Sequence, residues 1–137
     1  MKKLAILPGS YDPMTLGHLA LVKAAAKTFE HLVIAVMINP DKHTRFTPEE
    51  RVEIARRTVA EFPQAEVIFD GGMLVELFDR LGADAVVKGY RDSTDLAYER
   101  KMANLNRARN RACRTILVRA EGPYAKVSST EVRRRLD

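Results

Sequence analysis

The sequence predicts an α/β fold: a Rossmann-like, doubly wound, five-stranded parallel sheet with helices on both faces, in a single domain over residues 1–137. Three observations carry this. Short apolar runs of strand length alternate five times with longer stretches of helical period. The strand runs are nearly continuous rather than alternating, as in strands covered on both faces. No repeat, low-complexity tract or linker interrupts the 137 residues, a length that suits one core.

Leu4–Leu7 reads as a buried strand stopped by Pro8-Gly9. Leu16–Phe29 places Leu19, Val22, Ala26 and Phe29 at helical spacing. Leu32–Ile38 is the second strand. Thr47-Pro48-Glu49-Glu50 then supplies an N-cap, a proline at the first helical position and a glutamate at the third. The helix it opens carries Val52, Ile54, Ala55 and Val59 to about Phe62. Glu66–Phe69 is the third strand, broken by Gly71-Gly72. Met73–Leu81 is a helix stopped by Gly82, and Ala83–Val87 the fourth strand. Ser93 or Thr94 starts a long helix to about Arg109, and Thr115–Val118 is the fifth strand. Ser128-Ser129-Thr130-Glu131 is a second capping box, opening a helix to the end.

Charge is unevenly placed. From Arg100 to Asp137 there are eleven basic residues against Glu121, Glu131 and Asp137. A basic C-terminal third expects anionic partners: nucleic acid, an acidic membrane or a phosphorylated small molecule. Trp is absent and aromatics make up 7%, which argues against a base-stacking surface. The one cysteine, Cys113, lies in an apolar-leaning run and reads as an inert buried thiol in a reducing compartment. The N-terminal apolar run is too short for a signal-peptide core, and Leu32–Ile38 is far below membrane-spanning length. These features lead us to expect a soluble cytoplasmic protein.

Ligands of such sheets bind outside the carboxyl ends of the strands. There the dinucleotide glycine fingerprint, the P-loop, zinc-binding Cys/His spacing and the hydrolase nucleophile elbow are all missing. The first strand leads instead into Pro8-Gly9-Ser10-Tyr11-Asp12-Pro13-Met14-Thr15-Leu16-Gly17-His18. This loop is rich in Gly and Pro, and its Thr-x-Gly-His enters a helix whose free N–H groups favour an anion such as a triphosphate. Thr15 and His18, three apart, lie on one helix face. A capped turn in which His18 merely packs is the competing reading.

Thr15-x-Gly-His18 resembles the signature of the nucleotidyltransferase superfamily, and within it the chain is most similar to the bacterial phosphopantetheine adenylyltransferases. The likeness continues through Phe46–Val52, Lys88-Gly89-Tyr90-Arg91, Asp95, Tyr98-Glu99, Asn104–Arg107 and Val127–Thr130, in order, from Lys3 to about Val132. It implies transfer of the adenylyl group of ATP to 4′-phosphopantetheine by in-line attack, with Mg2+ bridging phosphates and no protein nucleophile. By the same resemblance His18, Lys42 and Arg91 are catalytic: His18 stabilises the transition state and Lys42 orients the attacking phosphate. ATP would meet Ser10, Tyr11, His18, Gly89, Tyr90, Arg91, Glu99 and the segment Tyr124, Ala125, Lys126, Val127, Ser128, Ser129 and Thr130. The acceptor would meet Ser10, Lys42, Leu74 and Lys88, although Leu74 could equally be plain helix core.

One position departs from the family pattern, which is Arg-Gly-x-Arg where this chain has Lys88. Lysine keeps the charge and loses the bidentate fork. That keeps alive a related transferase using CTP or another phosphorylated acceptor. A nucleic-acid-binding protein and a non-catalytic nucleotide-binding homologue are the remaining alternatives. The resemblance also implies a homo-oligomer, a hexamer, with no nucleic-acid or membrane partner. Family members usually run on past the Ser-Ser-Thr helix into a further helical segment, where this chain stops at Asp137.

Overall fold

The structure, a computed structural model, describes residues 2–123 and 127–136. Five parallel strands form one sheet: β1 (Lys2–Gly9), β2 (Phe29–Met37), β3 (Ala65–Asp70), β4 (Ala85–Tyr90) and β5 (Thr115–Arg119), in the order β3-β2-β1-β4-β5. Helices α1 (Leu16–Ala26), α2 (Pro48–Thr58), α3 (Leu74–Leu81), α4 (Ser93–Arg109) and α5 (Ser129–Leu136) come after the strands in turn. Right-handed crossovers put α1 and α2 on one face and α3 and α4 on the other. The strand order reverses between β1 and β4, so loops leaving these two strands turn opposite ways and open a crevice.

Strand alternation divides the apolar residues between the two faces. Ala5, Leu7, Ile34, Val36, Ala85 and Val87 join Val22, Ala25 and Ala55 in one core. Ile6, Ala35 and Val86 join Leu77 and Phe78 in the other. Cys113 is fully buried in this second core, and burial pushes its thiol up. Among the described residues no helix is long and apolar enough to cross a membrane.

Several boundaries differ from the sequence reading. Phe29 is the first residue of β2, because α1 ends at Ala26. Its ring fills the same core from a strand that it would have filled from a helix. Helix α2 ends at Thr58, short of Phe62. Strand β4 runs on through Lys88, Gly89 and Tyr90, whose ladder to Leu117, Val118 and Arg119 holds residues that break the apolar run. Helix α4 starts at Ser93 with Asp92 as its cap, the Asp92 carboxylate accepting the Asp95 N–H at 2.8 Å. Gly82 ends α3 in the left-handed region at φ 62°, where a side chain would be strained.

Candidate active site

A cleft of about 620 Å³ opens at the carboxyl ends of β1, β4 and β5. Its floor is the β1–α1 loop. Tyr11 there has φ 47°, a left-handed conformation uncommon for an aromatic residue. Its buried ring holds that backbone in place: the hydroxyl donates to the Leu7 carbonyl at 2.8 Å. Burial also pushes the phenol pKa up, so it stays a neutral donor. Arg51 of α2, itself buried, donates through Nη1 to the Ser10 carbonyl at 2.9 Å and fixes the preceding residue.

His18 is the third residue of α1 and closes a capping box with Thr15. The Thr15 hydroxyl accepts the His18 N–H at 3.4 Å, and His18 Nδ1 accepts the Thr15 N–H at 3.0 Å. An Nδ1 that accepts carries no proton, which assigns the neutral ring's proton to Nε2. The Tyr11 ring meets the imidazole edge to face at 4.9 Å. Desolvation by burial lowers the His18 pKa from 6.5 to about 4, and the charges of Lys88 and Arg91 push the same way. The cleft therefore holds a neutral N–H donor beside two cations.

Lys88 and Arg91 come with carboxylates from α4. Lys88 Nζ is 3.5 Å from Glu99 Oε2, and Arg91 Nε is 3.1 Å from Asp95 Oδ2. Glu99 is thus tied across the cleft wall to Lys88. Lys42 lines the opposite rim, in the loop between β2 and α2. That loop is anchored at its far end by Asp12, whose carboxylate accepts the N–H groups of Arg45 and Phe46 at 2.9 Å each.

Helix α5 closes the cleft. Ser128 caps it, accepting the Glu131 N–H at 3.2 Å. Ser129 donates its hydroxyl to the Pro13 carbonyl at 2.6 Å, and the Thr130 hydroxyl accepts Arg133 Nη2 at 3.1 Å. These bonds leave the Thr130 O–H free to donate and Ser129 Oγ free to accept, and the segment adds its first-turn N–H groups.

Of the residues singled out from the sequence, Ser10, Tyr11, His18, Lys42, Lys88, Gly89, Tyr90, Arg91, Glu99, Val127, Ser128, Ser129 and Thr130 line this one cleft. Tyr124, Ala125 and Lys126 lie outside the described residues. Leu74, the first residue of α3, stands apart from the lining and packs half-buried against the core around Ile6 and Phe78. Sequence reasoning missed Asp12, Arg119 and Arg133, which also line the cleft. Arg119 carried a readable signal, a cation ending a parallel strand. The hydrogen bonds of Asp12 reach 33 to 121 residues along the chain and carried none.

Such a site can bind a polyanion and stabilise charge growing on a phosphoryl group. Among the described residues no three His, Cys, Asp or Glu side chains converge on a metal position. A family model described as cytidylyltransferase-like matches residues 6–135. The phosphopantetheine adenylyltransferase of Limosilactobacillus reuteri is 41% identical over 128 residues, covering 93% of this chain and 74% of its own. That of Caldanaerobacter subterraneus is 37% identical over 131 residues, covering 96% and 82%. A Vibrio parahaemolyticus structure provisionally named a nicotinate-nucleotide adenylyltransferase superposes with a TM-score of 0.65 at 14% identity, covering 99% of this chain and 87% of that one. At that identity it speaks for the fold alone.

Proposed function

The chain belongs to the phosphopantetheine adenylyltransferase family, within the cytidylyltransferase-like nucleotidyltransferases, and on that premise we propose that it makes dephospho-coenzyme A and pyrophosphate from ATP and 4′-phosphopantetheine. The observation that carries the reading is the neutral His18, its Nε2–H left free by the cap, beside Lys42, Lys88 and Arg91 in one cleft.

An oxygen of the acceptor phosphate attacks the α-phosphorus of ATP. The bond from that phosphorus to the bridging oxygen breaks in line, and pyrophosphate leaves with the electron pair. No group on the protein is adenylylated, so the protein's contribution is positioning and charge stabilisation. His18 Nε2–H donates to the phosphate oxygens as negative charge accumulates on them. Arg91, with the N–H groups at the start of α1, holds the triphosphate. Lys42 and Lys88 align the acceptor phosphate, and Ser10 lies between the two substrates. Magnesium brought in with ATP would neutralise part of the triphosphate charge, beside what Lys88, Arg91 and His18 supply.

A cytoplasmic homo-oligomer, a hexamer by family likeness, belongs to the same reading. The exposed Ile38, Phe69 and Met73 at one end of the sheet support a contact between copies, which light scattering tests. For the chemistry, purified protein with ATP, magnesium and 4′-phosphopantetheine releases pyrophosphate. CTP in place of ATP, and a panel of other phosphorylated acceptors, give little. Binding of short DNA with no pyrophosphate release from any pair overturns the proposal.

A further inference from the structure

Asp12 is 2% exposed, and it is bonded to two separate parts of the cleft. Its Oδ2 accepts the Arg45 N–H and its Oδ1 the Phe46 N–H, each at 2.9 Å. On its other side Arg133 Nη1, from α5, donates to the Asp12 carbonyl at 2.7 Å and lies 3.6 Å from Oδ2. The neighbouring Pro13 carbonyl accepts the Ser129 hydroxyl, so α5 grips this pair of residues twice. A buried carboxylate is costly unless its lone pairs are filled and its charge is compensated, and here two amides and a guanidinium do both.

We propose that Asp12 is a positioning residue: held by Arg133, it sets the loop that carries Lys42 in register with α5. The chain geometry supports this. Residues 40–44 are exposed, so packing does little to place them. Asn39 turns the near end of the loop, accepting the Asp41 N–H through its side chain and the Lys42 N–H through its carbonyl, both at 3.0 Å. The two amides held by Asp12 fix the far end. Lys42, turned by Asn39 at one end, is three residues from Arg45, within about 10 Å of chain, so a shift of the end held by Asp12 is carried to it. The α2 helix has its own cap at Thr47 and does not need Asp12 to begin. The identity of the two ligands, acceptor phosphate at Lys42 and nucleotide at α5, rests on the adenylyl-transfer reading.

The test uses the full chain carrying Asp12→Asn, Lys42→Ala or both. The asparagine sets an NH2 against one of the two amides, and the loop end loses an acceptor and its charge. Acceptor KM is expected to rise about tenfold, the scale of one charge-assisted hydrogen bond, while the ATP dissociation constant changes less than about threefold. Asp12 acts through Lys42, so the double variant is within about twofold of Lys42→Ala alone. A purely structural role would instead multiply the two losses, and that result, or an unchanged acceptor KM, overturns the proposal.

Amide hydrogen exchange in the free protein supplies a readout without substrate. Asp12→Asn should speed exchange at Arg45 and Phe46 and leave the β1–β4 ladder untouched; unchanged exchange also overturns the proposal. If unsubstituted protein releases no pyrophosphate, the adenylyl-transfer reading fails while the exchange result still decides the joint. Should Asp12→Asn not fold, Arg133→Gln leaves the carboxylate in place. It is expected to weaken both substrates and to be non-additive with Lys42→Ala, and additivity there overturns the joint.

Discussion

The depressed basicity of His18 has a consequence for stability that acid titration measures. Its folded pKa is about 4 against 6.5 for a free imidazole, because the folded cleft desolvates it and Lys88 and Arg91 oppose a further positive charge. Between pH 6.5 and 4 the unfolded chain takes up a proton that the folded chain refuses. Stability contributed by neutral His18 is therefore complete above pH 6.5 and drains away as pH falls through that window. At about 1.4 kcal/mol per pH unit the shift sets a ceiling of about 3 kcal/mol. The ring borders an open cleft, so about 1–3 kcal/mol is the expected range. Urea melts of the wild type and of His18→Gln at several pH values from about 4 to 7.5 isolate this one group from the other titrating residues. The wild type should lose about 1–3 kcal/mol relative to the variant across the window. In NMR the His18 ring should titrate near pH 4. A ring titrating near 6.5, or a stability difference independent of pH, would refute both the neutral tautomer and the charge argument behind it.

Three substitutions probe other parts of the site. Lys88→Arg restores a two-pronged donor beside Glu99, now 3.5 Å from the ammonium. Acceptor KM should fall about three- to tenfold at constant kcat, the worth of one added charge-assisted bond, and an unchanged or higher KM in the pyrophosphate assay shows that Lys88 is no weakened arginine. Gly9→Ala puts a Cβ 3.1 Å from the Tyr11 ring, which itself packs on His18. It should cost about 1–3 kcal/mol in urea melts and lower kcat with it; unaltered stability would mean that the ring yields freely. Thr47→Ala removes the hydroxyl that accepts the Glu50 N–H at 3.1 Å. A loss of about 1 kcal/mol, recovered by Thr47→Ser, is expected in the same melts, and no loss would show the cap to be idle.

The fold was legible because its signals are local. Thr47-Pro48-Glu49-Glu50 reads as a helix start in any context, and the structure forms both halves of that box. Five apolar runs of strand length leave few alternatives to a covered parallel sheet. Errors fell where tertiary contacts override local pattern. Phe29 fits a helical stripe and a strand equally well, and Lys88-Gly89-Tyr90 extends β4 through ladder bonds to β5 that no local window contains. The site was legible only in part, for a similar reason. The topology rule sends the eye to loops after strands, and His18, Lys42, Lys88 and Arg91 stand in or beside them. Pairing cannot be read that way. That Lys88 meets Glu99, or that Asp12 meets both Arg45 and Arg133, depends on how α4, α5 and the β2–α2 loop pack.

The histidine at the third position of α1 meets two separate demands, one from the cap and one from the ligand. A capping box ordinarily places glutamate or glutamine there, reaching back to the N–H of the cap residue. Glutamate would do this for Thr15 but would aim a negative charge at a phosphate site. Glutamine would spend its carbonyl on the cap and present its NH2 from a side chain with one more rotatable bond to order than histidine has. Imidazole divides the two tasks between two nitrogens. Nδ1 accepts the Thr15 N–H at 3.0 Å, and the same bond forces the proton onto Nε2 and fixes the ring plane. Protonation would turn Nδ1 into a donor facing a donor and break the cap. The capping geometry therefore works in the same direction as burial and the two neighbouring cations: all three keep the ring neutral. A sequence motif that looks like a helix start and a motif that looks like a phosphate contact are, at His18, one side chain doing both.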